Sequence, residues 1–183
     1  MGLISDLLDL SRLDEDRLKP DMKEVDCMRV IRSAMRQVTP AAEAKRVKVE
    51  TVAPASVPPC RTDSNRLEQI LVNLLTNAAD AVLQAGADGG GKIRIDGRIS
   101  EGSGALEIAV RDDGVGIGPD DVARIFEPFY TTKGRGKGTG LGLAICRELA
   151  QALGGRISVE SAPGRGSTFM LRLPRTDAAQ KAS

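Results

Sequence analysis

Apolar side chains recur at helical spacing in several parts of the chain. Near the start, Leu3, Leu7 and Leu10 form a stripe flanked by further apolar residues. A short solvated helix gives a similar pattern, but this stripe is wide for a terminal segment, so we expect it to pack against another chain or another helix. Residues 14–26, which are acidic and contain a proline, predict a linker. Further helices are expected over Asp26–Arg46, from Asp63 to about Gln84, after Pro119 and from about Leu141.

Alternation of apolar and polar residues predicts strands between these helices. The clearest pair is 92–99 with 106–113, whose short connection favours an antiparallel arrangement. Other strands are expected at 47–52, near Cys60, at 156–161 and at 167–174. Several adjacent strands together with three or more helices predict an α+β fold, a two-layer α/β sandwich with helices on one face of the sheet.

Composition limits the classes of protein to which the chain can belong. The 183 residues include 26 basic and 25 acidic ones, a net charge of +1, so no broad positive field indicates a nucleic-acid partner. No apolar run reaches the roughly 18 residues of a membrane span. The first ten residues contain acids where a signal peptide has bases. These features predict a cytoplasmic globular domain.

Cysteine and histidine usage narrows the possible chemistry. Cys27, Cys60 and Cys146 are odd in number and far apart, and the chain has no histidine. They match neither a disulfide framework nor a zinc site, so we expect three buried thiols in a reducing compartment. The lack of histidine also excludes Ser-His-Asp and Cys-His catalysis by this chain.

The helix that begins at Asp63 carries polar residues beside its apolar face. Asn73, Asn77 and Asp80 fall on one stripe, and asparagine is a poor residue for the middle of a helix. The stripe is either a solvated face or a set of oxygen ligands that holds a hydrated magnesium ion and its phosphate.

A glycine-rich turn follows the strand predicted at 106–113. It reads DDGVGIG, with Asp112 at the end of the strand and Gly114 and Gly116 after it. The third glycine of the turn comes one residue too early for the dinucleotide-binding pattern. Lys137 is followed by glycine instead of the hydroxyl residue of the Walker pattern. By itself the turn is either a plain loop or a place where the backbone approaches a ligand.

A second glycine-rich stretch follows a group of aromatic residues. Phe126, Phe129 and Tyr130 fall within five positions, and glycine then alternates with other residues from Gly134 to Gly142. Because glycine loses much backbone entropy on folding, such a segment predicts a loop that is kept for a function.

Five ordered motifs between about Val25 and Pro174 resemble the ATP-binding catalytic domain of sensor histidine kinases, in the group that includes gyrase, Hsp90 and MutL. They are NLLTNAADA, DDGVGIG, IFEPFYTTK, GTGLGLAI and PGRGSTF. The resemblance implies a Bergerat-type fold with a mixed, mostly antiparallel sheet, and ATP and Mg²⁺ as ligands. It also implies three parts of the chain. Residues 1–25 are expected to be the end of a dimerisation helix and a linker, residues 26–176 are expected to be the catalytic domain, and residues 177–183 are expected to be a flexible tail.

The resemblance assigns roles to residues at the adenine and metal sites. Asp112 is expected to accept a charge-assisted hydrogen bond from the adenine amino group, helped by Thr168 or Ser167 through water. Asn77 is expected to coordinate magnesium, with Asn73 in support. Asn73 also separates a kinase from a hydrolase, because gyrase-like relatives carry a water-activating glutamate there and an amide cannot take a proton at neutral pH.

The resemblance also makes the aromatic and glycine-rich stretch an ATP lid. Phe126 and Phe129 are expected to anchor it in the core, and Lys133 to bring positive charge to the phosphates. The backbone amides of Gly138–Gly142 are expected to form an anion cradle at a helix start. The family often has lysine or arginine where Asp80 stands, so the resemblance does not imply a second phosphate-binding base on this helix. The expected catalytic residues are Asn73, Asn77 and Lys133, the expected metal ligand is Asn77, and the expected nucleotide-binding residues are Asn77, Asp80, Asp112, Gly114, Gly116, Tyr130, Thr131, Thr132, Lys133, Gly138, Thr139, Gly140, Leu141, Gly142, Leu143 and Thr168.

The resemblance implies transfer of the ATP γ-phosphoryl group to a histidine, and the chain contains none. The acceptor is therefore expected on an upstream dimerisation helix, and the chain is expected to be a fragment that begins inside the second such helix and does not autophosphorylate alone. Expected partners are that histidine-bearing domain, in a homodimeric parent, and a response regulator. Two other functions stay open: a nucleotide-responsive binding module without catalysis, and a hydrolytic ATPase of the same superfamily.

Overall fold

The computed structural model describes residues 19–51, 59–86, 90–134 and 138–174. The helix expected at Leu3–Leu13 and the tail expected at 177–183 lie outside the described residues. Within the described ranges the helices are α1 (Cys27–Glu43), α2 (Ser64–Gln84), α3 (Pro119–Val122) and α4 (Gly142–Ala152). The strands are β1 (Lys23–Val25), β2 (Lys48–Thr51), β3 (Cys60–Thr62), β4 (Lys92–Ile99), β5 (Leu106–Asp112), β6 (Arg156–Ser161) and β7 (Ser167–Leu173).

Five strands form the main sheet, in the order β2-β4-β5-β7-β6. β2 runs parallel to β4, whereas the β4–β5, β5–β7 and β6–β7 pairs are antiparallel. The mixed, mostly antiparallel sheet and the hairpin of 92–99 with 106–113 are thereby confirmed. Because β5 is the central strand and ends at Asp112, this carboxylate is positioned by neighbouring strands on both sides.

Helices α1, α2 and α4 pack on one face of the sheet, with α2 in contact with both of the others and with β4 and β5. Alternation explains why this face is apolar: in β4 and β7 every second side chain is buried and those between are exposed or half-buried. Burying a large aliphatic side chain contributes roughly 1.5–3 kcal/mol. The largest fully buried side chains are Ile31, Leu67, Ile70, Leu71, Leu74, Leu75, Ile93, Ile95, Leu106, Ile108, Leu141 and Leu171.

Helix α2 begins where the sequence predicts. The Asp63 carboxylate accepts hydrogen bonds from the backbone N–H groups of Asn65 and Arg66, at 3.0 and 3.2 Å, which caps the first turn. The apolar stripe of α2 is buried against the sheet and the flanking helices. The polar stripe beside it is therefore left at the edge of the helical layer, where a ligand can reach it.

The N-terminal part of the described chain differs from the prediction. Residues 23–25, expected in a linker, form β1, which pairs antiparallel with β3 so that Val25 lies opposite Cys60. This pairing brings Cys27 against Cys60, and the two buried residues are joined by a disulfide. The expectation of three thiols is therefore wrong, and Cys146 alone is free and buried. Pairing between segments this far apart leaves no local pattern in the sequence.

Helix α1 also ends before the predicted Arg46, which has a left-handed backbone with φ of 61°. None of the helices in the described ranges is both long and apolar enough to cross a membrane.

Candidate functional site

A cavity of about 380 Å³ opens between the polar edge of α2, the end of β5 and the residues on both sides of the start of α4. This volume is in the range of small-molecule binding sites. The predicted site residues that line it are Asn73, Asn77, Asp80, Asp112, Gly116, Tyr130, Thr131, Thr132, Lys133, Gly138, Thr139, Gly140, Gly142 and Leu143. Most of the predicted set is thus brought together from segments that lie far apart in the sequence.

Three predicted residues do not line the cavity. Gly114 lies behind it and donates its N–H to Asp112. Leu141 is fully buried and belongs to the core beneath the start of α4. Thr168 follows Ser167 on β7, and alternation turns its side chain to the other face of the sheet. For these three residues the predicted contact with nucleotide stays a prediction.

Helix α2 supplies one wall of the cavity. Besides the predicted Asn73, Asn77 and Asp80, the side chains of Thr76 and Gln84 line this wall. Thr76, Asp80 and Gln84 follow each other at four-residue intervals, which places them on one helical face. The periodicity of the helix contained this signal, because Thr76 and Gln84 each lie one turn from Asp80, on its two sides.

Asp112 is 9% exposed and lies where β5 ends. Its Oδ1 accepts the Gly114 N–H at 2.9 Å, and the Ser167 backbone N–H also donates to the carboxylate. Burial raises the pKa of the Asp112 carboxyl above its usual value, and the two hydrogen bonds only partly oppose this shift. A buried carboxylate with remaining acceptor capacity favours a ligand that donates an N–H group.

Ser167 is the hydroxyl residue closest in register to Asp112. The two residues are paired across β5 and β7, and Ser167 is buried and lines the cavity. Its Oγ lies 3.0 Å from the Oγ of Ser161. Of the two helpers expected for Asp112, the structure therefore places Ser167 at the cavity.

Two of the aromatic residues hold the segment before the glycines. The Phe126 ring packs edge-on against Phe169, with 6.5 Å between ring centroids. The Tyr130 hydroxyl donates a hydrogen bond to Asp121 Oδ1, and the Arg124 guanidinium carbon lies 4.3 Å from the centre of the Tyr130 ring. The hydrogen bond to Asp121 raises the pKa of Tyr130. Asp121 was missed because an acid after Pro119 is ordinary for the first turn of a helix.

Phe129 differs from its neighbours. Its side chain is 63% exposed and its φ is 66°, so the expectation that it anchors the segment in the core is wrong. The backbone of Phe129 instead lies against Gly140, where an added Cβ would come within 2.4 Å of the Phe129 carbonyl carbon. The chain on the two sides of residues 130–139 is therefore in direct backbone contact.

Lys133 is the cation of the cavity among the residues that the structure describes. Its Nζ donates to Asp80 Oδ2 at 2.7 Å and to Asn77 Oδ1 at 3.3 Å. The Lys133 side chain is 22% exposed and that of Asp80 is 34% exposed. These contacts connect the segment after the aromatic residues to the polar edge of α2.

The start of α4 faces the same part of the cavity. A Cβ at Gly142 would lie 3.8 Å from Asn77 Nδ2, and no side chain caps the helix at Leu141. Gly138, Thr139 and Gly140 line the adjoining wall. An uncapped helix start beside a lysine is a favourable place for an anion, because its first backbone N–H groups and the helix dipole both favour negative charge.

The edge of α2 also fits a magnesium ion that arrives with phosphates. Magnesium takes oxygen ligands, uses one or two from the protein and keeps the others as water or phosphate. The amide oxygen of Asn77, on the α2 wall of the cavity, meets this requirement. In the described ranges no group of three or more His, Cys, Asp or Glu residues could hold a metal by itself.

The free thiol of Cys146 is buried beneath α2 and donates a hydrogen bond to the Ile70 carbonyl oxygen, with 3.8 Å between sulfur and oxygen. The thiol also interacts with the Asn73 side chain, and burial raises the pKa of Cys146 to about 12 while the hydrogen bond with Asn73 lowers it. Cys146 is therefore neutral and unreactive.

Comparisons with known proteins identify the family to which the chain belongs. Residues 62–177 match the family described as histidine kinase-, DNA gyrase B-, and HSP90-like ATPases, and the chain belongs to this family. Its fold and site make it an ATP-binding catalytic domain of the sensor histidine kinase type. The predicted family and fold are thus confirmed.

Individual relatives and solved structures belong to the same class of protein. The alginate biosynthesis sensor protein KinB of Pseudomonas aeruginosa is 37% identical over 172 residues, which cover 94% of this chain and 28% of KinB. The structure of full-length ShkA in complex with AMPPNP has a TM-score of 0.82 at 30% identity, over 94% of this chain and 35% of ShkA. The nucleotide-free catalytic domain of the histidine kinase ThkA has a TM-score of 0.72 at 27% identity, over 85% of this chain and 98% of ThkA's domain. The chain therefore spans about the length of an isolated catalytic domain and under a third of KinB.

Proposed function

We propose that this domain binds ATP together with magnesium and transfers the γ-phosphoryl group to a histidine outside these 183 residues. The observation that carries the proposal is the presence, in one cavity, of a buried carboxylate and of a separate anion-binding cluster. The carboxylate is Asp112, and the cluster consists of Asn77, Lys133 and the start of α4. These two parts match the two ends of ATP.

Asp112 suits adenine because its carboxylate can accept a hydrogen bond from the exocyclic amino group. Guanine has a carbonyl oxygen at that position, which would face the carboxylate with no donor. Ile117, Ile125 and Phe169 line the same cavity and can bury the faces of the base. We expect Tyr130 to lie near the base as well, since it is held at the cavity by Asp121.

The phosphates would lie toward Lys133 and the start of α4. Lys133 and the backbone amides of Gly138–Gly142 oppose their negative charge, and we assign the metal ligand role to Asn77 Oδ1. When bound, magnesium neutralises charge on the phosphate oxygens. Thr131, Thr132 and Thr139 line this part of the cavity and can donate hydroxyl hydrogen bonds to phosphate oxygens.

In the proposed reaction the bond between the γ-phosphorus and the bridging oxygen breaks, and a bond from phosphorus to an imidazole nitrogen forms. ADP leaves with the electron pair of the broken bond, and the imidazole proton passes to a base that accompanies the histidine. Asn73 favours this outcome over hydrolysis, because an amide cannot accept a proton from water at neutral pH. Phosphoryl transfer depends mainly on positioning and charge neutralisation, which the cavity residues can supply.

The proposal includes the setting of the domain. We infer that the histidine lies on a dimerisation domain of a homodimeric, cytoplasmic kinase. We also infer that the residues before β1 belong to the end of the dimerisation helix and a linker. We also infer that a response regulator receives the phosphoryl group from that histidine. The chain has no histidine to carry a phosphoryl group by itself.

Labelled ATP tests this function. Alone with ATP and magnesium, the chain should bind nucleotide but acquire no acid-labile, base-stable phosphate. With its cognate histidine-bearing dimerisation domain it should label that partner, slowly, because free diffusion must replace the effective concentration that a tether provides. The Asp112→Asn variant serves as the control with weakened nucleotide binding, and it should label the partner less at the same ATP concentration.

Other results of the same experiment would support one of the two alternative functions. Steady release of inorganic phosphate from the chain alone would indicate a hydrolytic ATPase. Tight ATP binding without label on the partner at any concentration would indicate a nucleotide-responsive binding module. Label on the chain itself would contradict the proposal directly.

A further inference from the structure

We propose that Asp80 makes nucleotide binding at this site depend on a metal ion, because it neutralises Lys133 and holds the lysine ammonium on α2. This inference rests on the proposed function and assigns a specificity-determining role to Asp80, a residue of the α2 wall of the cavity. It concerns the charge that the site offers to phosphate before any metal is bound.

The first argument is the contact itself. Lys133 Nζ is 2.7 Å from Asp80 Oδ2, a charge-assisted hydrogen bond between side chains that lie 53 positions apart in the sequence. Both side chains are partly buried, so water screens the pair less than it would at an open surface. The ammonium therefore lies beside Asp80, and its charge is balanced there.

The second argument is the total charge of the cavity. Three carboxylates line it, those of Asp80, Asp112 and Asp121, and in the described part of the chain they face one lysine, Lys133. Free ATP or ADP carries several negative charges, and the side chains of the described residues that line the cavity offer no excess of positive charge to balance them. A nucleotide whose phosphates are already neutralised by a divalent cation does not meet this disadvantage.

The third argument is the second partner of Lys133. The same Nζ donates to Asn77 Oδ1 at 3.3 Å, and this is the oxygen to which we assign the metal. Lysine and metal ion therefore compete for one oxygen. When the ammonium leaves Asn77, it keeps its 2.7 Å contact with Asp80 on the same wall of the cavity.

The substitution Asp80→Asn keeps the size of the side chain and removes its charge. The Lys133 charge is then unbalanced, so ADP without metal should bind about five-fold more tightly, a change of about 1 kcal/mol. The gain in affinity on adding magnesium should shrink by the same factor. Adenosine, which has no phosphate, should bind the variant and the original chain equally well.

Lys133→Met removes the positive charge of the pair and leaves the Asp80 charge unbalanced. It should therefore weaken metal-free ADP binding by a similar factor. Asp120→Asn is the matched control, because it removes an exposed carboxylate that does not line the cavity. The measurement is calorimetric affinity for ADP and adenosine, with excess magnesium and with a chelator, at low and high salt. The Asp80 effect should diminish at high salt, because it is electrostatic.

The results separate this inference from the proposed function. If the unmodified chain binds no adenine nucleotide even with magnesium, the proposed function fails. If it binds, and Asp80→Asn leaves the ratio of affinities with and without magnesium unchanged, only the role of Asp80 is wrong. If Asp80→Asn is poorly folded by its melting temperature, Lys133→Met decides: equal or tighter metal-free ADP binding in that variant overturns the inference.

Discussion

The two ends of the cavity are built in different ways. At the proposed adenine end, Asp112 is the last residue of the central strand β5, and its carboxylate accepts hydrogen bonds from the backbone N–H groups of Gly114 and Ser167. At the proposed phosphate end, Lys133 and Asp80 meet through flexible side chains that remain partly exposed. The first end derives its geometry from the sheet, and the second from a few polar contacts between distant segments.

This difference predicts different behaviour of the two ends. A carboxylate fixed by the sheet can discriminate between bases without rearrangement, because its acceptor atoms are already in place. Charged side chains on the surface of a helix and a glycine-rich segment can exchange partners when phosphate and metal arrive. Base selectivity should therefore be insensitive to salt and metal, whereas phosphate affinity should depend on both.

The largest effect is expected from Asp112→Asn. Losing a charge-assisted hydrogen bond costs about 1.5–3 kcal/mol, so ATP affinity should fall by about ten-fold to a hundred-fold. GTP should bind the unmodified chain poorly. Calorimetric titration of both nucleotides measures this, and equal affinities of the unmodified chain for ATP and GTP would refute the assignment of Asp112.

The stability of this variant provides a second test with a defined sign. Because burial raises the pKa of Asp112 in the folded chain, ionisation of this group opposes folding. The penalty is absent below the unfolded pKa of about 3.9 and is fully present once the pH exceeds the raised folded value. Asp112→Asn should thus melt no lower than the original chain at pH 7, with its relative advantage diminishing toward pH 4.

Asp113→Asn is the matched control for Asp112→Asn. Asp113 Oδ1 accepts the Lys92 backbone N–H at 2.8 Å, outside the cavity, and an amide oxygen can accept the same bond. ATP affinity should therefore be unchanged in this neighbour. A comparable loss in both variants would mean that the region tolerates no change, and that Asp112 has no special role.

A smaller effect, confined to the other end, is expected from Asn77→Ala. The variant should lose the magnesium-dependent part of ATP affinity, about ten-fold, while binding adenosine normally. Its fold should persist, because Asn77 lies on the polar edge of α2 and outside the core. Asn65→Ala, the same change in the exposed first turn of α2, is the control. A collapsed melting temperature with unaltered magnesium dependence would make Asn77 structural.

Much of the core and of the α2 wall could be predicted because the signals are local. Helix α2 has a cap at Asp63 and an apolar stripe over its full length, and Asn73 and Asn77 stand out from helical composition. The hairpin of β4 and β5 has strict alternation on β4 and a short connection. Such patterns depend on neighbours within a few residues, so the sequence alone contains them.

The features that could not be predicted depend on contacts between distant segments. β1 has three residues, and its pairing with β3, like the Cys27–Cys60 disulfide, follows from tertiary structure. The exposure of Phe129 is set by its left-handed backbone, which residue type does not reveal. The contact of Lys133 with Asp80 likewise requires the folded chain.

The smallest effect is expected where the two sides of the glycine-rich segment meet. Gly140 has φ of 69°, and a Cβ there would approach the backbone of Phe129. Gly140→Ala should introduce strain of about 1–2 kcal/mol, the cost of a left-handed conformation for a residue with a side chain. This strain is present in the free chain and in the nucleotide complex, so most of it cancels in the binding free energy. We therefore expect ATP affinity to fall only about three-fold.

Gly134→Ala is the control variant for Gly140→Ala. Gly134 lies in the same segment, but its φ is not left-handed and an added Cβ would meet nothing within 4 Å. If general flexibility of the segment governs binding, the two alanines should act alike. If the backbone contact between Gly140 and Phe129 governs it, Gly140→Ala alone should weaken ATP while adenosine affinity stays constant, because the contact borders the phosphate end. Stopped-flow rates with a fluorescent ATP analogue can resolve this, and equal rates for the two variants would exclude a role for the contact.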